Sequence, residues 1–249
     1  MIATVCLRLA AGLVGSTLVL DPVPIPPRFF RVQHLVALAL TAVAAFFLRD
    51  LIAGPGWAAL GGAMALCFVG SIVWHVDRAP GGPVVNLLAT GALLVCLVML
   101  DLMTENPGLE NMGLADDLAS AAMMGLATTS MLMGHSYLIA PAMTMEPLLR
   151  LLAALGLALV VRIAMACFGL WQWTEAHAGN NLDTETVAWL VVRWLVGFVA
   201  PAVLGWLAWE TARIRSTQSA TGILYVVVIL VLLGELTSLL LLEKTRLVL

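Results

Sequence analysis

Long apolar stretches recur along the whole of this sequence and limit the folds open to it. Eight of them, each of about 20 residues, cover approximately 2–20, 31–49, 57–76, 84–103, 117–140, 147–170, 187–210 and 219–242. A helix needs about 20 apolar residues to cross a bilayer, and its backbone polar groups must be satisfied within the segment. The sequence therefore predicts an all-α integral membrane protein with about eight transmembrane helices.

The amino-acid composition agrees with this class. Of the 249 residues, 62% are hydrophobic and 11% are charged, and the mean hydropathy is +1.03. Soluble domains contain about 25% charged residues. Lysines and arginines do not cluster, so we expect no nucleic-acid partner. No loop is long enough for a soluble domain, and residues 1–249 are expected to form a single domain within the lipid bilayer.

Basic residues in the loops predict the orientation, because they are enriched on the cytoplasmic side. Loops one, three, five and seven carry six arginines, and the other loops with the C-terminal tail carry three basic residues. The two sets are Arg28, Arg31, Arg78, Arg150, Arg213 and Arg215, against Arg49, Lys244 and Arg246. We therefore expect both termini to be non-cytoplasmic, in a bacterial inner (cytoplasmic) membrane.

A weak internal similarity relates the first four spans to the last four. The matched positions are Gly12 with Gly125, Ser16 with Thr129, and 89–91 with 220–222. Because each unit has an even number of spans, the two units would run in parallel. This similarity predicts two parallel four-helix repeats, with halves 1–105 and 106–249.

The fifth span carries a stripe made mostly of methionines and polar side chains. Reading back from His135 in steps of three and four gives Met131, Thr128, Met124, Ala121 and Asp117. These residues share one face, since 18 residues make five helical turns. Such a stripe does not suit contact with lipid, so we expect it to face other helices.

Three histidines are expected at a similar depth on three different helices. His34 begins the second span, His75 ends the third, and His135 lies in the last third of the fifth. Two imidazoles from neighbouring helices can ligate a b-type haem axially. The pattern predicts haem b on His135 with His34 or His75, while the third ring contacts a propionate or a quinone. Three imidazoles could equally hold a copper or zinc ion.

Charged residues form a second predicted layer, nearer the other surface. Arg8, Arg162, Arg193 and Glu235 each fall inside a span. A buried carboxylate needs a partner or takes up a proton, and the arginines of the two preceding spans are candidate partners for Glu235. Ionisable residues in a membrane usually mark function, so Glu235, Arg162 and Arg193 are predicted to serve proton transfer linked to quinol chemistry.

These features favour a membrane subunit of a respiratory or redox complex, working with other subunits. A structural or assembly subunit without a cofactor, or a small secondary transporter, would also account for embedded charges. The sequence contains no nucleophile motif, phosphate loop or HExxH signature. Independent enzymatic activity is therefore not expected.

Overall fold

The computed structural model describes residues 1–76, 80–103, 113–140, 143–176 and 183–245. Every regular element within these ranges is helical. In chain order they are α1 (Ile2–Ser16), a 3-10 turn (Thr17–Val19), α2 (Pro27–Leu48), α3 (Gly54–Val73), α4 (Gly82–Met103), α5 (Gly113–Ile139), α6 (Glu146–Ala176), α7 (Thr184–Trp194), a π-helical turn (Leu195–Val199), α8 (Ala200–Arg213) and α9 (Thr217–Thr245). Of the basic residues that predict orientation, Arg78 and Arg246 lie outside the described ranges.

Within the described residues, seven helical segments are long and apolar enough to cross a membrane. Here α1 is counted as one segment with the 3-10 turn, and α7, the π-turn and α8 are counted as another. They indicate an integral membrane protein, in agreement with the predicted class. The exception among the eight predicted spans is α5, which is long but less apolar, since it carries serines, threonines and glycines along its length as well as Asp116 and Asp117 in its first turns. Fourteen of its 27 residues are buried, so much of its surface faces other helices. The number of crossings and the side of the termini stay predictions.

Proline explains where several helices begin. Pro27, Pro55, Pro83 and Pro147 stand at the first or second position of α2, α3, α4 and α6. Proline is favoured there because its missing N–H would have no partner inside the helix and its φ already suits the helix. The helix α2 therefore begins at Pro27, four residues before the apolar stretch that predicted it.

The helices pack as two groups of four. In the N-terminal group, α1 contacts α2, α2 contacts α3, α3 contacts α4, and α4 returns to α1. In the C-terminal group, α5 contacts α6, α6 contacts α8, α8 contacts α9, and α9 returns to α5, with α7 also on α9. The main contact between the groups joins α1 to α5. The predicted duplication itself stays a prediction.

The helices α1 and α5 run parallel at this junction. Contacts advance along both chains together, from Gly12 against Gly125 to Ser16 against Thr129. A Cβ on either glycine would overlap backbone atoms of the opposite helix. Because glycine has no Cβ, it allows the two backbones to approach this closely.

Candidate functional site

Six ionisable side chains from five helical segments meet inside the protein, and we call them the ionic cluster. They are Arg8 of α1, Asp116 and Asp117 of α5, Arg162 of α6, Arg193 of α7 and Glu235 of α9. None is more than 6% exposed. The cluster lies toward the end of the bundle at which α1 and α5 begin, which we call the cluster end.

Glu235 binds the two arginines that the sequence predicts as its partners. Arg162 donates from Nε to Oε1 and from Nη2 to Oε2, both at 3.2 Å. Arg193 donates from Nη2 to Oε1 at 3.1 Å. The predicted pairing is therefore present, while the predicted catalytic role of these three residues stays a prediction.

Two neighbouring aspartates complete the cluster. Hydropathy predicts Asp116 in a loop and Asp117 on the stripe of the fifth span, and it indicates no partner for either. In the structure Arg8 donates from Nε to Asp117 Oδ1 at 2.5 Å and from Nη2 to Asp116 Oδ2 at 3.0 Å. The sequence feature that could have predicted this pairing is an arginine embedded in one span together with two adjacent carboxylates at the start of another.

Acidic and basic groups alternate through the cluster. Asp116 joins Arg8 to Arg162, since its Oδ1 accepts from Arg162 Nη1. Arg8 Nη1 also lies 3.8 Å from Glu235 Oε2. Three arginines and three carboxylates sum to zero when all are ionised, which offsets the cost of burying charge.

Hydroxyl groups supply further acceptors for the arginines. Arg8 Nη1 donates to Ser120 Oγ at 3.2 Å, and Arg162 Nη2 donates to Ser238 Oγ at 3.3 Å. Each serine lies three residues after a cluster carboxylate on the same helix, Ser120 after Asp117 and Ser238 after Glu235. Residues three apart lie on one helical face, so each guanidinium contacts carboxylate and hydroxyl together.

The π-helical turn positions Arg193. Pro201 follows it and has no N–H to continue an α-helical ladder, so the backbone widens there. Phe198, inside the turn, places its ring under the guanidinium, 4.2 Å from the Arg193 Cζ atom to the ring centroid. Gly197 of the turn packs against Gly234, beside Glu235. This close approach brings Arg193 within hydrogen-bonding distance of Glu235.

A second polar layer lies toward the opposite end of the bundle and contains neutral groups. Ser16 Oγ and Thr129 Oγ1 are 2.6 Å apart, and Gln33 Nε2 donates to Thr129 at 3.2 Å. Asn86 accepts from Trp74 Nε1 at 2.8 Å. The contact of Gly12 with Gly125 lies between this layer and the ionic cluster.

The structure does not bring the three predicted histidines together in the interior. His34 is fully buried, packs against Gly70 of α3, and lies with Nδ1 at 3.1 Å from the Phe30 carbonyl. His75 is exposed, and its Nδ1 accepts from Arg31 Nη1 at 2.9 Å. His135 is also exposed.

The stripe of the fifth span explains the exposure of His135. Its first members, Asp117, Ala121 and Met124, are buried, but burial decreases toward His135. The helix α1 ends at Ser16, opposite Thr129, and so does not cover the last turns of α5. The expectation that the whole stripe faces other helices is therefore wrong at its far end.

Metal and haem binding gain no support from the arrangement of ligands. Within the described ranges, no group of three or more His, Cys, Asp or Glu side chains could hold a metal ion. The carbonyl of Phe30 can only accept, so His34 Nδ1 carries the proton and Nε2 is the nitrogen available to a ligand. The backbone of α3 at Gly70 lies directly beside that nitrogen. Haem b on His135, His75 or His34 stays a prediction.

The fold and the cluster define the class of this protein. It is an all-helical integral membrane protein with a charge-balanced ionic cluster at the junction of two helical groups. No protein-family profile, curated protein sequence or solved structure matches the chain.

Proposed function

We propose that this protein is the membrane-embedded subunit of a larger redox complex, in which the ionic cluster takes part in proton transfer linked to quinol chemistry. The observation that carries the proposal is the burial of six ionisable side chains inside a membrane protein. Charged groups within a membrane are costly and usually mark ion or proton pathways. A bacterial cytoplasmic membrane, where quinol oxidation is coupled to proton movement, is the proposed location.

A comparison within the molecule supports a role beyond packing. The N-terminal group closes the same ring of helices around a core of mostly alanine and leucine. Apolar side chains of similar volume often replace buried ion pairs without loss of stability, or with a gain. The ring therefore does not need six charges in order to fold, and their presence favours a chemical function.

The electron-carrying part of the proposal depends on the histidines. His34 is buried with its Nε2 against the backbone of α3 at Gly70, whereas His75 and His135 lie at the protein surface. A haem or quinone that contacts His75 or His135 would then lie against a neighbouring subunit. This location agrees with a chain that has short loops and little mass outside the membrane.

An absorption spectrum of the complex purified with its partners tests the redox role. We expect the dithionite-reduced minus oxidised spectrum to show the α-band of a b-type haem, and His135→Ala, which removes the ring common to both predicted ligand pairs, to remove or shift it. His177 lies outside the described ranges, and His177→Ala serves as a histidine control that leaves the band unchanged. Absence of any haem or bound quinone from an active complex would contradict the redox role.

The ionic cluster is tested separately. Glu235→Gln keeps the shape of the side chain but removes its charge, so Arg162 and Arg193 lose their common partner. We expect proton-linked turnover of the complex to fall at least tenfold, while Glu243→Gln, on the exposed last turn of α9, leaves turnover unchanged. Turnover that stays normal in Glu235→Gln would remove the cluster from the mechanism.

A structural or assembly subunit is the second candidate function. The observation in its favour is the zero net charge of the cluster, because such a network can fasten helices without reacting. This function predicts that Glu235→Gln lowers the melting temperature while turnover per folded complex stays unchanged. The redox function predicts loss of turnover in the protein that remains folded.

A further inference from the structure

The three carboxylates of the ionic cluster differ in whether one or both of their oxygens contact arginine N–H groups. Both oxygens of Glu235 meet guanidinium groups, from Arg162 and Arg193 at Oε1 and from Arg162 and Arg8 at Oε2. Both oxygens of Asp116 are likewise paired, Oδ2 with Arg8 and Oδ1 with Arg162. A proton added to either carboxylate would bind an oxygen that already accepts from an arginine.

Asp117 differs, because Arg8 contacts it through one oxygen. Arg8 Nε and Nη2 both lie 2.5 Å from Oδ1, and no ion pair in the described part of the chain involves Oδ2. A carboxylate can accept at both oxygens. Asp117 can therefore bind a proton at Oδ2 while Oδ1 still accepts from Arg8.

Asp117 is also the most exposed member of the cluster. It follows the first residue of α5 by four positions, or about 6 Å along the helix axis. It is 6% exposed, the highest fraction in the cluster, while Arg162 and Arg193 are fully buried. A proton that enters from the cluster end reaches Asp117 before it reaches Glu235.

A partly exposed carboxylate lies between Asp117 and that surface. Asp101, near the end of α4, places its Oδ1 2.6 Å from the position that a Cβ on Gly113 would take. Gly113 and Asp117 are four residues apart and share one face of α5. Asp101 therefore lies against the face of α5 that carries Asp117.

We propose that Asp117 is the proton-binding site of the ionic cluster and that Asp101 delivers the proton from the cluster end of the bundle. A hydronium ion in the surrounding water gives its proton to the Asp101 carboxylate, which passes it to Oδ2 of Asp117. One O–H bond forms at Asp117 as the one at Asp101 breaks, and no electron moves. Arg8 keeps Asp116 and Ser120 as partners, and the net charge of the cluster rises from zero to +1.

The groups that face Asp117 decide whether this step is reversible. Arg8 of α1 pairs with Asp117 Oδ1, while Asp116 of the same helix and Asp101 of α4 bring negative charge to its surroundings. Because charges of both signs act on it, small changes in the distance to Arg8 can load or release the proton. The site rests on the proposed role of the ionic cluster in proton transfer and specifies which carboxylate binds the proton, but it needs neither an electron carrier nor a partner subunit.

Infrared difference spectroscopy on the full-length protein in lipid nanodiscs tests the proposal. Lowering the pH should produce the C=O stretching band of a buried protonated carboxylic acid in the wild type. Asp117→Asn should remove this band, while Glu235→Gln and Asp116→Asn, which change the other two carboxylates, should leave it. Asp101→Asn should retain the band but move its appearance to lower pH, since one neighbouring negative charge is gone.

Each outcome decides for or against the site. A band that persists in Asp117→Asn, or that is lost in Glu235→Gln alone, would overturn the proposal, as would the absence of any buried-acid band in the wild type. If Asp117→Asn does not fold, Asp117→Glu keeps the acid on a longer side chain, and the band must then change in frequency. The measurement involves no redox partner, so failure of the redox function would leave its result unaffected.

Discussion

The two four-helix groups of this protein share a pattern of helix contacts but differ in what fills them. Alanine and leucine line most of the N-terminal core, as at Ala10, Ala37, Ala63 and Leu93. At the level of the cluster, long charged side chains fill the C-terminal group instead. The same ring of four helices can therefore enclose either an apolar core or an ionic one. Helix packing alone does not require the charges.

Arg8 makes the difference between the groups sharper. Within the described parts of α1–α4 it is the one buried charged side chain, apart from the histidine ring. Its guanidinium nevertheless binds Asp116, Asp117 and Ser120 of α5. The buried guanidinium of the N-terminal group thus lies against the C-terminal group. Its ion pairs connect the two groups across the α1–α5 junction.

The largest loss of stability is expected when Arg162 is replaced, because two carboxylates share this arginine as a partner. Arg162→Met leaves Asp116 and Glu235 with fewer partners and the cluster with a net charge of −1. Breaking a buried pair by removing one partner costs about 3–5 kcal/mol, so unfolding in detergent should become easier by about that amount. The control Arg150→Met changes an exposed residue on the same helix and should cost less than about 1 kcal/mol. Equal effects of the two variants would show that the cluster adds no stability.

A smaller loss is expected at the junction of the two groups. In Gly12→Ala the new Cβ would overlap the carbonyl of Ala121 on α5, so the helices must separate, at a cost of about 1–3 kcal/mol. Gly91→Ala is the matched control, because nothing lies within 4 Å of a Cβ there. Its effect should stay within about 1 kcal/mol of zero and favour folding, since alanine restricts the unfolded chain. Thermal unfolding of both variants measures the difference, and a Gly12→Ala protein as stable as the wild type would show that the junction tolerates separation.

The smallest effect concerns an exposed ion pair in the C-terminal group. Lys244 and Thr186 lower the pKa of Asp183 to about 2 through hydrogen bonds to its carboxylate. A folded pKa below the unfolded value of about 3.9 means that the ionised group stabilises the fold above that value. This contribution is lost as the pH falls from about 4 toward 2.

Asp183→Asn should therefore lower the melting temperature slightly at neutral pH and leave it unchanged near pH 2. Lys244→Met should lose stability over a pH range that includes this one, because Lys244 binds both Asp183 and Glu185 and lowers the pKa of each carboxylate. The melting temperature measured across this pH range gives the comparison. A difference between wild type and Asp183→Asn that stays constant down to pH 2 would contradict the assignment.

Much of the helical framework follows from local features of the sequence. Apolar stretches predicted the helices to within a few residues, and prolines account for several of their first turns. The partners of Glu235 were also predictable, because a buried carboxylate requires opposite charge and Arg162 and Arg193 lie on the two preceding spans. Hydropathy did not show that α5 is a central helix. It identifies Asp116 and Asp117 as polar residues near a loop, but it carries no information about how many helices surround them.

The sequence by itself determined that this chain is helical and built for a membrane, because each long apolar stretch must satisfy its own backbone within lipid. Only the tertiary structure decided which polar residues meet. Arg8 and Asp117 are separated by 109 positions and come together because Gly12 and Gly125 let α1 and α5 approach. His135 stays exposed because α1 ends before it. Helical periodicity fixes the face on which a residue lies, but the lengths and contacts of neighbouring helices decide whether that face is covered.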